Sequence, residues 1–248
     1  MTEIWAHARG EGAPIANLLS SYEQAVLEAP DGLELDVHRT RDGHLVCAHD
    51  PVLYDEAGKA WDIGALDYAE LSHYVDPRTT GPEGRVSRLD EVYELLRPTG
   101  MRLNIEAKNL ERRYPMMAET IAASVAASGM ADRIVVSAFH HRLLLDLRTH
   151  APGLALAALY ADGLIRPWDY LAGIDIQEVH PHFTSLRDKQ TVVGLLEAGI
   201  TIRAWTVNDS ALWYELAKLG VHAIITDFPV SARAAIGRQG ELLSAQRS

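Results

Sequence analysis

The segment Leu33-Glu34-Leu35-Asp36-Val37 carries two acidic side chains one residue apart, and a third, Glu106, closes the run Leu103-Asn104-Ile105-Glu106. Along an extended strand side chains alternate, so Glu34 and Asp36 share one face while Leu33, Leu35 and Val37 share the other. Asn104, Glu106 and Lys108 divide from Leu103, Ile105 and Ala107 in the same way. A half-exposed strand would need nothing more than water on its polar face. In a sheet covered on both sides, however, inward carboxylates repel one another and lose hydration, which is expensive without a cation. Three of them suit one hard divalent ion, Mg²⁺ or Ca²⁺, with waters or substrate oxygens completing the shell. The alternative for Glu106 and Lys108 is a plain ion pair.

Two histidines add proton chemistry. His7 follows the first apolar run, and His49 precedes Asp50-Pro51. Imidazole titrates near neutral pH, so either can accept or deliver a proton. Arg9 offers a planar fork for a phosphate, or is an ordinary surface cation. His180 and His182 allow a competing reading as a zinc pair, since His-x-His in a strand puts both rings on one face.

These residues need elements to hold them. Strand-like runs occur at Ile4–Ala6, Gly32–Val37, Met101–Ala107, Ile134–Ala138, Leu154–Leu159, Ile174–Val179, Ile200–Val207 and Ala223–Thr226. Helical periodicity lies between them, as in Met116–Ala127, Arg142–Arg148 and Ala211–Leu219, the last stopped by Gly220. A turn at Asp42–Gly43 leads into Leu45–Ala48, and Asp50 to Arg88, with a short helix near Tyr68–Tyr74, is an excursion from the repeat. Eight βα units in 248 residues predict a (β/α)8 TIM barrel, with a doubly wound open sheet as the alternative. We expect a single domain over 1–248, with an insertion at about 51–88 after the second strand.

The formal net charge of −11 argues against a nucleic-acid surface, which needs a clustered cationic face. Local cations and a bound metal still allow an anionic small-molecule substrate. The lone Cys47 excludes an intrachain disulfide and fits a reducing compartment. No leader and no membrane-spanning stretch are apparent, so a soluble cytoplasmic protein is expected; a homo-oligomer is compatible with the sequence.

The ordered set His7…Arg9-Gly10…Asn17, Gly32-Leu33-Glu34-Leu35-Asp36-Val37…Thr40…Asp42-Gly43…Val46…His49-Asp50-Pro51 resembles the opening signature of the glycerophosphodiester phosphodiesterases. Leu103–Lys108 is similar to that family's third-strand motif. Trp205-Thr206-Val207-Asn208 and Ile225-Thr226-Asp227-Phe228-Pro229 resemble its last two strand ends. The resemblance implies a (β/α)8 barrel and hydrolysis of a phosphodiester to a phosphomonoester and an alcohol. It implies Glu34, Asp36 and Glu106 as metal ligands, His7 and His49 as the catalytic pair, and Arg9 and Lys108 as phosphate-binding cations. Trp205 would line the alcohol pocket, or simply pack the barrel. Two departures stand out: Ala8 separates His7 from Arg9, where the family has His-Arg-Gly, and Ala16-Asn17-Leu18 replaces Glu-Asn-Thr. Asn17 then has two readings, a site residue or the N-cap of the next helix. The alternative function is a barrel that has lost turnover and binds a phosphorylated ligand.

Overall fold

A computed structural model describes residues 1–79 and 82–245; residues 80–81 of the expected insertion and the last three residues of the expected domain lie outside the described residues. Its first units are β1 (Glu3–His7), α1 (Leu19–Glu28) and β2 (Gly32–Arg39). The excursion follows, with β3 (Leu45–Cys47), β4 (Val52–Tyr54), β5 (Ala60–Asp62) and α2 (Tyr68–Leu71), before α3 (Leu89–Leu96) completes the second unit. The remaining units are β6 (Arg102–Ala107) with α4 (Met117–Ser128), β7 (Ile134–Ala138) with α5 (His141–His150), and β8 (Ala155–Tyr160) with α6 (Pro167–Gly173). Last come β9 (Glu178–Pro181) with α7 (Lys189–Glu197), β10 (Thr201–Ala204) with α8 (Ser210–Leu219), and β11 (Ala223–Thr226) with α9 (Pro229–Ala245).

Eight of these strands are parallel to their neighbours, and β1 pairs with both β11 and β2, so the sheet closes on itself. This is the (β/α)8 barrel, and closure rules out the open doubly wound sheet. Leu33, Leu35, Val37, Leu103, Ile105 and Ala107 join the main core between strands and helices. Their alternating neighbours therefore face the barrel axis. Trp5, Val135, Ala157, Ala223 and Ile225 form a separate apolar plug there. The plug fits because Gly32 has no side chain: a Cβ there would lie 2.4 Å from the Trp5 indole.

The excursion has its own small core of Val46, Ala48, Ile63, Leu71, Tyr74 and Val86. β3 runs antiparallel to β2 across a turn whose Gly43 takes φ +98°. The Ala48 amide then donates to the Asp36 carbonyl at 3.2 Å, which brings the following residue, His49, beside the acidic strand.

Two expectations shift. The strand expected at Ile174–Val179 starts only at Glu178, because α6 ends at Gly173 and the chain turns at Asp175 with φ +53°. Apolar Ile174 and Ile176 mimic a strand but pack as loop residues against the core. The helix expected around Tyr68–Tyr74 stops at Leu71. Among the described residues no helix is long and apolar enough to cross a membrane.

Candidate active site

At the C-terminal rim of the barrel, Glu34, Asp36 and Glu106 bring one carboxylate oxygen each to within 4.8 Å of one another. Register explains the meeting. β2 and β6 are parallel neighbours with Glu34 opposite Asn104 and Asp36 opposite Glu106, so all four inward side chains stack on two adjacent strands. Burial and the Asp36 charge hold the Glu34 carboxyl well above the usual carboxylate range, and the same two causes raise Glu106. Glu34 Oε2 is buried with no hydrogen-bond partner. An orphaned oxygen in a cluster of hard donors fits a divalent cation, which would supply the charge and the missing contact.

Lys108 reaches into the same cluster, 2.9 Å from Glu106 and 3.3 Å from Asp36. Burial alone would lower its pKa, but the adjacent carboxylates outweigh it, and the ammonium stays charged. Asn17 donates to Asp36 Oδ2 at 3.0 Å and accepts from the Tyr22 hydroxyl at 2.8 Å. The N-cap reading of Asn17 is thereby corrected: Leu18 occupies the cap position of α1, while Asn17 itself lies at φ +62° with its amide turned to the acidic strand.

His7 ends β1 and lies 3.8 Å from Glu34. Its Nδ1 donates to Asp227 Oδ1 at 2.8 Å, and Asp227 also accepts from Asn208 Nδ2 at 2.8 Å. This fixes the ring with Nε2 toward the carboxylates. Burial would lower the His7 pKa, but the Asp227 bond and the charges of Glu34, Asp227 and Asp36 outweigh it and raise it to about 9. Ala8, the extra residue, adopts φ +53° and bends the chain out of the strand. Arg9 consequently turns back, 3.4 Å from Asp227 and bonded to the Ala13 carbonyl at 3.0 Å. His7 and Arg9 thus meet at one carboxylate despite the insertion between them.

His49 stands across a cleft of about 260 Å³ that Glu106, Lys108, Arg112 and Phe139 also line. Its ring is 68% exposed and bonded to Asp50 at 2.8 Å, with no direct contact to the carboxylates. Its backbone is held by His38, whose Nε2 donates to the His49 carbonyl at 3.1 Å while Nδ1 accepts from the Tyr114 hydroxyl at 2.8 Å. Burial pushes His38 down to about 4, so this ring is a neutral strut.

With that geometry, likeness to known proteins becomes informative. The model of the glycerophosphoryl diester phosphodiesterase family matches residues 9–231. The chain belongs to this family. A glycerophosphodiester phosphodiesterase of Bacillus altitudinis is 33% identical over 236 residues, covering 92% of this chain and 96% of that protein. One from Caldanaerobacter subterraneus is 29% identical, covering 92% and 95%. The solved phosphodiesterase of Oleispira antarctica, in complex with the product sn-glycerol-3-phosphate, superposes with a TM-score of 0.81 at 27% identity, covering 96% and 97%. The chain is accordingly a phosphoric diester hydrolase.

The glycerophosphodiesterase signature located most of the rim but not its supports. Trp205 packs against the apolar plug, donates to the His180 carbonyl at 2.7 Å and meets Phe139 edge-on, so it backs the cleft wall through Phe139. Asp227 was visible in the terminal motif without a partner, since only closure of β11 onto β1 brings it to His7. His38 had a signal, because it continues the inward face of Glu34 and Asp36. The zinc pair does not form. His180 is buried against Glu178 and Asn104, whereas His182 leaves the strand and bonds Thr184. Among the described residues the only cluster of three or more potential metal ligands is Glu34, Asp36 and Glu106.

Proposed function

We propose that this enzyme hydrolyses glycerophosphodiesters to a glycerol phosphate and the free headgroup alcohol, with Glu34, Asp36 and Glu106 holding one divalent cation, Mg²⁺ or Ca²⁺. The observation that carries the reading is the buried convergence of those three carboxylates around an unpartnered oxygen, with His7 3.8 Å from Glu34 and a cleft lined by Glu106, Lys108 and His49 beside them. When bound, the cation would polarise the phosphoryl group and neutralise developing charge.

The chain's own groups supply the rest. Lys108 and Arg9 offset charge on the nonbridging oxygens. One histidine takes the proton of the attacking oxygen and the other returns a proton to the departing alkoxide. Asp227 keeps the His7 ring turned, and His38 keeps the His49 backbone in place. Phe139, backed by Trp205, shapes the alcohol side. The shared contact of His7 and Arg9 with Asp227 favours turnover over a barrel that merely binds a phosphorylated ligand.

The test is a metal titration of chelator-treated protein on glycerophosphocholine. Activity should return with Mg²⁺ or Ca²⁺. His49→Ala should lower kcat about 10²–10⁴-fold while calorimetric metal binding stays unchanged. Full activity in that variant would overturn the assignment.

A further inference from the structure

Thr206 brings a hydroxyl to the mouth of the barrel. β10 ends at Ala204, so strand alternation no longer sorts the residues that follow, and the half-buried Thr206 sets its Oγ1 3.5 Å from His7 Nε2. Among the described residues that ring nitrogen is the one hydrogen-bonding neighbour of the hydroxyl. The separation is long for a bond between the two, yet it lets a single oxygen atom lie within bonding reach of both. The turn is pinned on either side of Thr206. The Trp205 amide donates to the Pro181 carbonyl at 3.2 Å, and the Val207 amide donates to the Ile225 carbonyl at 2.9 Å. Asn208 Oδ1 accepts from the Thr226 hydroxyl at 3.1 Å and from the Asp227 amide at 3.0 Å, while its Nδ2 donates to Asp227 Oδ2 at 2.8 Å. The other oxygen of that carboxylate holds His7 Nδ1. Asp227 therefore sets the Thr206 turn and the His7 ring relative to one another, and the β-branched side chain of threonine has little rotamer freedom left.

We propose that Thr206 is a further catalytic residue, whose hydroxyl donates a hydrogen bond to the oxygen whose proton His7 moves. The inference rests on the phosphodiesterase reading and on His7 as one of its two proton carriers. With His7 as acid, the bond from phosphorus to the departing oxygen breaks, the electron pair stays on that oxygen, and the Nε2 proton passes to it. With His7 as base, the attacking oxygen bonds to phosphorus and gives its proton to Nε2. Both directions put partial negative charge on an oxygen beside Nε2 in the transition state. Thr206 keeps its own proton throughout. Its hydrogen bond strengthens as that charge grows, so it favours the transition state over the bound substrate. A methyl group in its place would fill the same space and donate nothing.

The experiment measures glycerophosphocholine hydrolysis at saturating metal for Thr206→Val and Thr206→Ser, and for Thr206→Val combined with His7→Ala. Thr206→Val keeps the shape and should lower kcat about 10- to 100-fold, the range for a hydrogen bond to a charged group, with KM little changed. Thr206→Ser restores the hydroxyl and should recover most of the loss. In His7→Ala the valine substitution should cost little more, because groups that serve one oxygen are not additive. Calorimetric metal affinity of both single Thr206 variants should match the parent. Parent-like kcat in Thr206→Val, with His7→Ala inactive, would overturn the role of Thr206 and leave the phosphodiesterase reading standing. Equal losses in the valine and serine variants would trace the effect to packing and would also overturn it. Full activity in His7→Ala would end the His7 assignment and the proposal with it.

Discussion

At the scale of single residues, a carboxylate's role follows from its partners. Glu34, Asp36 and Glu106 have more negative charge than Lys108 can balance, whereas Asp227 is committed to hydrogen bonds from His7 and Asn208. Burial would raise the Asp227 pKa, but its His7 and Asn208 bonds outweigh it, so it remains ionised and orients the imidazole. Asp227→Asn keeps the shape but loses the charge and can present an amide N–H to Nδ1. We expect kcat to fall about 10- to 100-fold with KM little changed, part of what a positioned acid or base contributes. Unchanged kcat would mean that His7 needs no such orientation. The convergence of the three carboxylates was legible in the sequence because alternation in β2 and β6 states which face each side chain takes. Asp227 was not, since its partner lies 220 residues away and meets it only by barrel closure. Sequence left Asn17 between site residue and cap, because nothing in it shows that Leu18, an unusual cap residue, holds the cap position.

At the scale of elements, the site depends on how β1 meets β2. Trp5 covers Gly32, their registers are paired, and His7 and Glu34 follow at the same level two residues further along each strand. A methyl on Gly32 would strike the indole carbons at 2.4–2.7 Å, and the ring is fully buried with little room to yield. Gly32→Ala should cost about 1–3 kcal/mol in urea unfolding, the usual range for overpacking. Because the clash lies two residues before the His7–Glu34 level, activity should fall further than stability alone explains. A variant as stable and active as the parent would show that the strand pair adapts freely. Strand positions were readable where apolar runs coincide with buried strands, as at Ile134–Ala138 and Ala223–Thr226. They failed at Ile174, where loop residues fill the same core and carry the same apolar signal.

On the scale of the whole molecule, the two ends of the barrel use similar residues in opposite ways. At the C-terminal rim carboxylates outnumber cations, whereas at the other end each one is matched. Glu178 accepts from Arg203 Nε at 2.6 Å and from His180 Nε2 at 2.8 Å, and Arg203 also reaches Glu3 at 2.7 Å. Arg102 adds a further contact to Glu3 at 3.3 Å, closing the floor beneath the Trp5 plug. Burial would raise the Glu178 pKa, yet the His180 and Arg203 bonds outweigh it and pull it from 4.5 to about 2. The unfolded chain therefore binds the proton more readily than the native one between those values. The resulting stability, about 3 kcal/mol, is fully present above pH 4.5 and is lost as the pH falls through 2. Glu178→Gln removes this dependence and leaves Arg203 with Glu3 in place of two counter-charges. Unfolding free energies measured from pH 7 to pH 2 should start lower for the variant and converge on the parent in acid. If the two curves stay parallel throughout, the floor carboxylate is not what acid attacks, and the excess charge at the catalytic rim becomes the element that fails first.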